Sequence, residues 1–584
     1  MEKIIKYYFL SILTLLIYNT NFAESWQTKF EKSNYLETDN YESTINYFKQ
    51  LEVYSDYAKL IKIGISPQGR DIYSLIINKD KIFDLKEISK SFKSIVLIQN
   101  GIHAGEIEGK DACMLLLRDI LITKTKEDLL KNVCLIIIPV LNVDGHERIS
   151  RYNRINQNGP TYMGWRTTAN NLNLNRDYLK ADALEIKAFI KLFNNINPDI
   201  FIDTHTTDGL DMQPVLTYSI EWQGNVTNVL SEWITKIFLP EIEKYMSSKQ
   251  VLTAPYVNMN DYTDPSKGIN AWVSSPKLST GYAAIRNKIG ILIETHSLKP
   301  YKDRVFATLD FLEGSIKIAN TQNESIKNNS KLAKIENDFV HCKLKNPYPF
   351  SFRLTKDSIM YKWKGIVAKK RYSNIAGDTI IYYDNEKYEK EVPYKYRLEG
   401  NKYAVVPKYY IIPQEWTEVI NILKLHGCQY YTQSNDTIVT GYTYKFKNVK
   451  FGTMPYEGRF QPSFDMDTIK LNCEIRKGDY LFPTDNNLLG ILVYLLEPNT
   501  NDSFIKWGFF NAIFEQKEYY EIYSMVPVAE RMYNENTELK NEFIGLTHDD
   551  KKFAENIYER LNYFYKNSDY FDKKFNVYPI LKVF

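Results

Sequence analysis

Four short apolar runs constrain this chain more than any other feature: Ser94–Gln99, Cys134–Val140, Ile200–Asp203 and Gly290–Ile293. Each is too short for a typical helix, and runs with so few polar interruptions leave no face for water. They therefore predict strands covered on both sides. Between them lie stretches that predict helices over Glu106–Ile122, Ala181–Ile196 and Val226–Met246, with an earlier helix over Tyr41–Leu51. A hairpin signal precedes the series, with Leu60–Ile65 and Asp71–Ile77 flanking the turn Ser66-Pro67-Gln68-Gly69. Buried strands alternating with helices imply an α/β fold: a mixed, mostly parallel sheet with helices on both faces.

That pattern ends near residue 320. At 584 residues the chain exceeds what one core usually supports, and residues 321–334 are polar without apolar periodicity, which reads as a linker. Beyond it, Tyr/Val/Ile-rich runs such as Thr379–Tyr383, Lys402–Val406 and Ile438–Phe446 predict a second, β-rich α+β domain over 335–584. It contains a helix over Trp416–Leu425 and a helical, aromatic tail whose most apolar patch is Trp507–Phe514. That density suits packing better than a ligand platform.

The first residues read as a signal peptide, 1–23: a short charged start, the apolar run Tyr7–Tyr18 and a small residue, Ala23, at the expected cut. The implied mature domain covers 24–320, and the expected location is periplasmic or secreted, with no membrane attachment after cleavage. Seventy-four Lys plus Arg stand against 71 Asp plus Glu, without a basic stripe, so nucleic acid is not an expected partner. Five cysteines, none at metal-ligand spacing, suggest mostly free buried thiols.

Chemistry gathers at strand ends, as expected for an open α/β sheet. Directly after Ser94–Gln99 comes Gly101-Ile102-His103-Ala104-Gly105-Glu106; Ile200–Asp203 leads into His205. Two histidines and one carboxylate form the ligand set of a catalytic zinc site with an open position. Glu294 ends another apolar strand, where it can serve as general base and acid. His296, two residues on, points to the same side and is a weaker candidate. Arg166 and the pair Asn175-Arg176 sit in polar loops; a guanidinium can fork a carboxylate or steady an oxyanion.

The ordered series His103-Ala-Gly-Glu106, Asn142-Val-Asp144-Gly145, Trp165-Arg166, Asn175-Arg176, His205 and Ile293-Glu294-Thr295 resembles the zinc carboxypeptidase family over roughly residues 40–315. The resemblance implies that His103, Glu106 and His205 hold Zn2+, and that Glu294 is the general base and acid. It also implies that Arg166 polarises the scissile carbonyl, while Asn175 and Arg176 grip the free C-terminal carboxylate of a peptide substrate. Tyr282 is the best match for a substrate-capping tyrosine, with Arg286 close by. Three departures stand out. Gly105 replaces a frequent arginine and so removes a substrate-side cation, Val143 replaces proline, and Asn173 replaces the aspartate expected behind His103. The implied activity is zinc-dependent removal of C-terminal residues from peptides. The alternatives are a zinc deacylase of small N-acyl amino acids on the same fold, and a zinc-containing binding protein without activity.

Overall fold

The computed structural model describes residues 26–485 and 488–584; the expected signal peptide lies outside them. The chain divides into two compact units. The first comprises residues up to Lys408 together with Thr417–Tyr430 and Phe482–Ser503, and the second comprises Tyr409–Trp416, Tyr431–Leu481 and Phe504–Phe584.

The first unit is an α/β structure around an eight-stranded mixed sheet. Its strands are β1 (Ala58–Ile65), β2 (Asp71–Ile77), β3 (Ser94–Gln99), β4 (Val133–Ile138), β5 (Ile200–Thr207), β6 (Leu216–Ile220), β7 (Thr253–Pro255) and, after two short strands of another sheet, β8 (Asn258–Met259) and β9 (Ile269–Asn270), β10 (Ile289–His296). The spatial order is β1-β2-β4-β3-β5-β10-β6-β7. The centre, β4-β3-β5-β10, is parallel, so four carboxyl ends emerge along one edge.

Every residue of β3, β4 and β10 is buried, and burying one Val, Leu or Ile side chain contributes roughly 1.5–3 kcal/mol. The two faces are covered by different helices. Val96, Ile98, Ile200, Ile202, Ile291 and Ile293 share a core with the helices Tyr41–Tyr54, Glu108–Leu117 and Tyr301–Thr321. On the opposite face Phe201 packs edge-on against Phe193 and tilted against Phe189, both from the helix Leu184–Ile196.

The division of the chain falls elsewhere than the composition suggested. Residues 321–334 do not form a loose linker: Asn323–Asp338 is a helix of the first unit. It buries little beyond Ile326 and Ala333 and is fastened mainly by polar contacts. Lys327 Nζ lies 3.0 Å from Asp199 Oδ2, Ser330 Oγ donates to Asp199 Oδ1, and Glu336 accepts the backbone N–H groups of Asn228 and Val229. A helix held this way has almost no apolar periodicity to read.

Part of the β-rich region also belongs to the first unit. The long hairpin Ile359–Ser373 with Asp378–Lys395 continues into β9 and β8, with Tyr394 paired to Ile269. The second unit carries a sheet that includes Thr437–Phe451 and Pro462–Ile475. Its tail of helices, Ile522–Glu535 to Ile557–Asn567, has an apolar cluster of its own around Phe543 and Phe564. All five cysteines are free, as their spacing suggests.

Candidate active site

At the carboxyl end of β3 the chain must reverse. Gly101, at φ +62°, makes that turn beside Val140. His103 and Glu106 follow, closed into a turn by the Glu106 N–H donating to His103 O. The Asn142 motif is what braces this loop. Asn142 Oδ1 accepts the Gly145 N–H as a helix cap, and Nδ2 donates to Arg166 O at 3.2 Å. Asp144 accepts from Ser66 Oγ, Gln68 N and Arg70 Nη1, tying the β1–β2 turn to the same place.

His205 arrives from β5. Its neighbour in the adjacent strand is Glu294 of β10, register-paired with it, so both side chains leave the sheet on one face. Donor atoms of His103, Glu106 and His205 all lie within 4.8 Å of one another. Glu106 Oε2 is 3.1 Å from His103 Nδ1 and 2.9 Å from His205 Nδ1. Two imidazole nitrogens converging on one carboxylate oxygen are a donor set that suits Zn2+, and all three residues are buried.

Each histidine is oriented from behind. His205 Nε2 lies 2.8 Å from Asp203 Oδ2, and Asp203 in turn accepts from Gln99 Nε2. His103 Nε2 lies 3.0 Å from Asn173 Oδ1, so a neutral amide stands there. The difference shows in their protonation. Burial pushes His103 down to about 4 against the pull of Glu106. Burial opposes the His205 cation too, but the Asp203 charge and its hydrogen bond raise that histidine well above the ordinary range.

Glu294 is held up to about 8, first by burial and then by the charges of Glu106 and Asp203, while His205 and Arg166 act in the other direction. A carboxyl that gains and loses a proton near neutrality suits general acid and base work. It faces a cavity of about 360 Å³ lined also by His103, Glu106, Arg154, Arg166, Asn175, Arg176, His205, Tyr256, Trp272 and Ser274. A larger cavity, about 640 Å³ and lined by Arg286, Lys331 and Lys334, lies away from the converging donors. Arg166 Nη1 is 3.2 Å from Glu106 Oε1. Arg176 Nη1 donates to Asn175 O, and Asn175 Oδ1 is buried without a hydrogen-bond partner among the described residues.

Two expected residues lie elsewhere. Tyr282 is fully buried on the far face of the sheet, packed with Phe193 and Tyr178, its hydroxyl accepting from Arg286 Nη1 and 3.1 Å from His426 Nδ1. The helix Ser279–Ile285 turns it inward, so it caps nothing. The tyrosine on the cleft is Tyr256, close enough to Glu294 that this charge is the largest influence raising its hydroxyl pKa. Nothing in the sequence around Tyr256 marked it. His296 is a buried structural histidine, its Nε2 3.1 Å from Leu210 O.

Gly105 does not leave the cleft short of a cation. Arg154, from a loop distant in sequence, occupies the space: a Cβ on Gly105 would stand 2.4 Å from Arg154 Cδ. Arg154 Nη2 reaches Glu106 Oε1 at 2.8 Å. No local signal distinguishes Arg154 from its neighbours Arg148 and Arg151.

The parallel centre of a mixed sheet, presenting two histidines, a carboxylate and an adjacent buried glutamate at one cleft, has the make-up of a metal-dependent hydrolase. Comparison with known proteins makes the class specific: residues 44–421 match the family described as zinc carboxypeptidase, and the chain belongs to that family of metallocarboxypeptidases. "Carboxypeptidase 2" of Trichophyton tonsurans is 20% identical over 463 residues, covering 76% of this chain and 78% of that protein. "Carboxypeptidase 2" of Trichophyton rubrum is 19% identical over 438 residues, 72% and 75% of the two chains. Among solved structures, a metallo-carboxypeptidase from Burkholderia cenocepacia aligns with TM-score 0.36 and 16% identity over 48% of this chain and 69% of its own.

Proposed function

We propose that the chain removes C-terminal residues from peptides, with His103, Glu106 and His205 holding Zn2+ and Glu294 moving the proton. The observation that carries this reading is the register pairing of Glu294 with His205, beside donors that converge within 4.8 Å. Zinc held there supplies a Lewis acid and makes water more acidic. Glu294 takes the proton of the attacking water and delivers it to the departing amine. Arg166 is placed to donate to the oxygen of the scissile carbonyl as it gains charge. The Arg176 guanidinium and the side-chain NH2 of Asn175, both donors from residues that line the cleft, are the candidate grip for the terminal carboxylate, and Tyr256 lines the same cleft. The N-terminal pattern supports an exported enzyme; among the described residues no helix is long and apolar enough to cross a membrane.

The test is Glu294→Gln. Zinc content should equal that of the wild type while hydrolysis of free-acid peptides falls at least roughly 100-fold. Wild-type turnover in a zinc-loaded variant removes Glu294 from the reaction. Assaying the wild type on a free-acid peptide, its C-terminally blocked form and an N-acyl amino acid separates carboxypeptidase from deacylase.

A further inference from the structure

Arg154 lines the cleft yet has no part in the reaction just described. It sits in the connection between Glu147 and Trp165, which is tied down at several points. Ser150 and Met163 exchange backbone hydrogen bonds, Asn153 Nδ2 donates to Met163 O, and Arg304 donates to the carbonyls of Asn158 and Gly159. Gln157 anchors the side chain itself. Its Oε1 accepts from Arg154 Nε at 2.7 Å, while its Nε2 donates to Gly105 O at 2.8 Å and to Gly159 O.

The guanidinium is therefore held at two of its three nitrogens, Nε by Gln157 and Nη2 by Glu106. Nη1 is engaged by no described residue, and the side chain keeps 15% exposure, toward a cavity. Placement depends on Gly105, because any side chain there collides with Arg154 Cδ and with Gly164 O at 2.8 Å. Arg154 shares Glu106 Oε1 with Arg166. It thus stands next to the group proposed for the scissile carbonyl.

We propose that Arg154 is a substrate-binding residue whose guanidinium donates to an oxygen on the acyl side of the scissile bond, either a peptide carbonyl or the carboxylate of an acidic penultimate residue. The proposal rests on the carboxypeptidase reading of the site. A fixed fork with one free edge matches such an acceptor, and a rigid anchor spends little side-chain entropy on binding. A residue that merely neutralised Glu106 would act on zinc retention instead.

The full-length, zinc-loaded protein tests this with R154Q and R154K on two matched free-acid dipeptides, N-acylated, with alanine or glutamate as the penultimate residue. Loss of a charged hydrogen bond should raise KM roughly 10-fold or more in R154Q. We expect kcat within about threefold, unchanged zinc content, and partial recovery in R154K, since only a donor and charge are restored. An excess loss on the glutamate substrate assigns the side-chain carboxylate; equal losses assign the peptide carbonyl. Unchanged KM on both, or zinc lost in step with activity, overturns the proposal. Calorimetric binding of a non-cleavable ketomethylene dipeptide keeps the two readings apart. If the wild type cleaves nothing yet binds this probe more tightly than R154Q does, the binding site stands and the carboxypeptidase reading falls. If wild-type turnover is normal and R154Q binds equally well, only the role of Arg154 falls.

Discussion

Asp203→Asn probes how the metal site is built. Asp203 is wholly buried, with Oδ2 2.8 Å from His205 Nε2 and Oδ1 accepting from Gln99 Nε2 at 2.9 Å. The variant keeps an oxygen for the histidine but turns an NH2 toward the Gln99 amide nitrogen. Gln99 Oε1 is buried without a partner, so rotating that amide by half a turn lets Oε1 accept from the new NH2 and from the Tyr178 hydroxyl. The number of orphaned atoms stays the same, and the cost to folding should stay within about 1 kcal/mol. What disappears is the negative charge behind His205. Removal of such a partner typically costs 10- to 100-fold in metal affinity, or about 1.4–2.8 kcal/mol. Competition against a chromophoric chelator at fixed neutral pH measures the affinity, and thermal unfolding run alongside measures the fold. A zinc affinity within twofold of the wild type, with an unchanged transition, refutes the claim that Asp203 strengthens His205 as a ligand.

The complementary change, Asn173→Asp, places a charge behind His103, whose Nε2 faces Asn173 Oδ1, and should tighten zinc by roughly 10-fold in the same assay. Glu221 is buried and held up to about 8, chiefly by burial, with the Ser274 N–H and the Thr280 hydroxyl its hydrogen-bond donors among the described residues. Its folded pKa lies above the ordinary value of 4.5, so the native state keeps a proton that the unfolded chain releases. The stability this preserves is present below about pH 4.5 and is lost as pH rises towards 8, by up to a few kcal/mol. Glu221→Gln should flatten that slope in urea titrations between pH 5 and 8, and an unaltered slope excludes Glu221 as its source. Gly109→Ala brings a methyl group to 2.1 Å from Thr204 Oγ1 and 2.3 Å from Asn100 Oδ1. It should destabilise by about 1–3 kcal/mol despite the better helix former. A rise in the thermal midpoint would contradict the close packing of this helix on β5.

The most legible parts of the chain were those whose physical cause is local. Runs without a polar face had to be buried strands, and β3, β4 and β10 are buried throughout. Ligand-type residues directly after such runs had to emerge at the sheet's carboxyl edge, and there His103, Glu106 and His205 come within 4.8 Å of one another. The helix Asn323–Asp338 escaped notice because its partners are Asp199, Asn228 and Val229, and polar docking leaves no period in the chain. Likewise, only packing separates Tyr282, turned into the far face of the sheet, from Tyr256, which lines the cleft. Gly105 shows the limit most directly. By itself it reads as a missing cation, yet the room it leaves is filled by Arg154, nearly fifty residues away. The sequence alone determined which residue types meet at the strand ends, because burial and periodicity are properties of neighbouring positions. Tertiary structure decided which side chain fills which space, because that depends on distances between segments that no local pattern encodes.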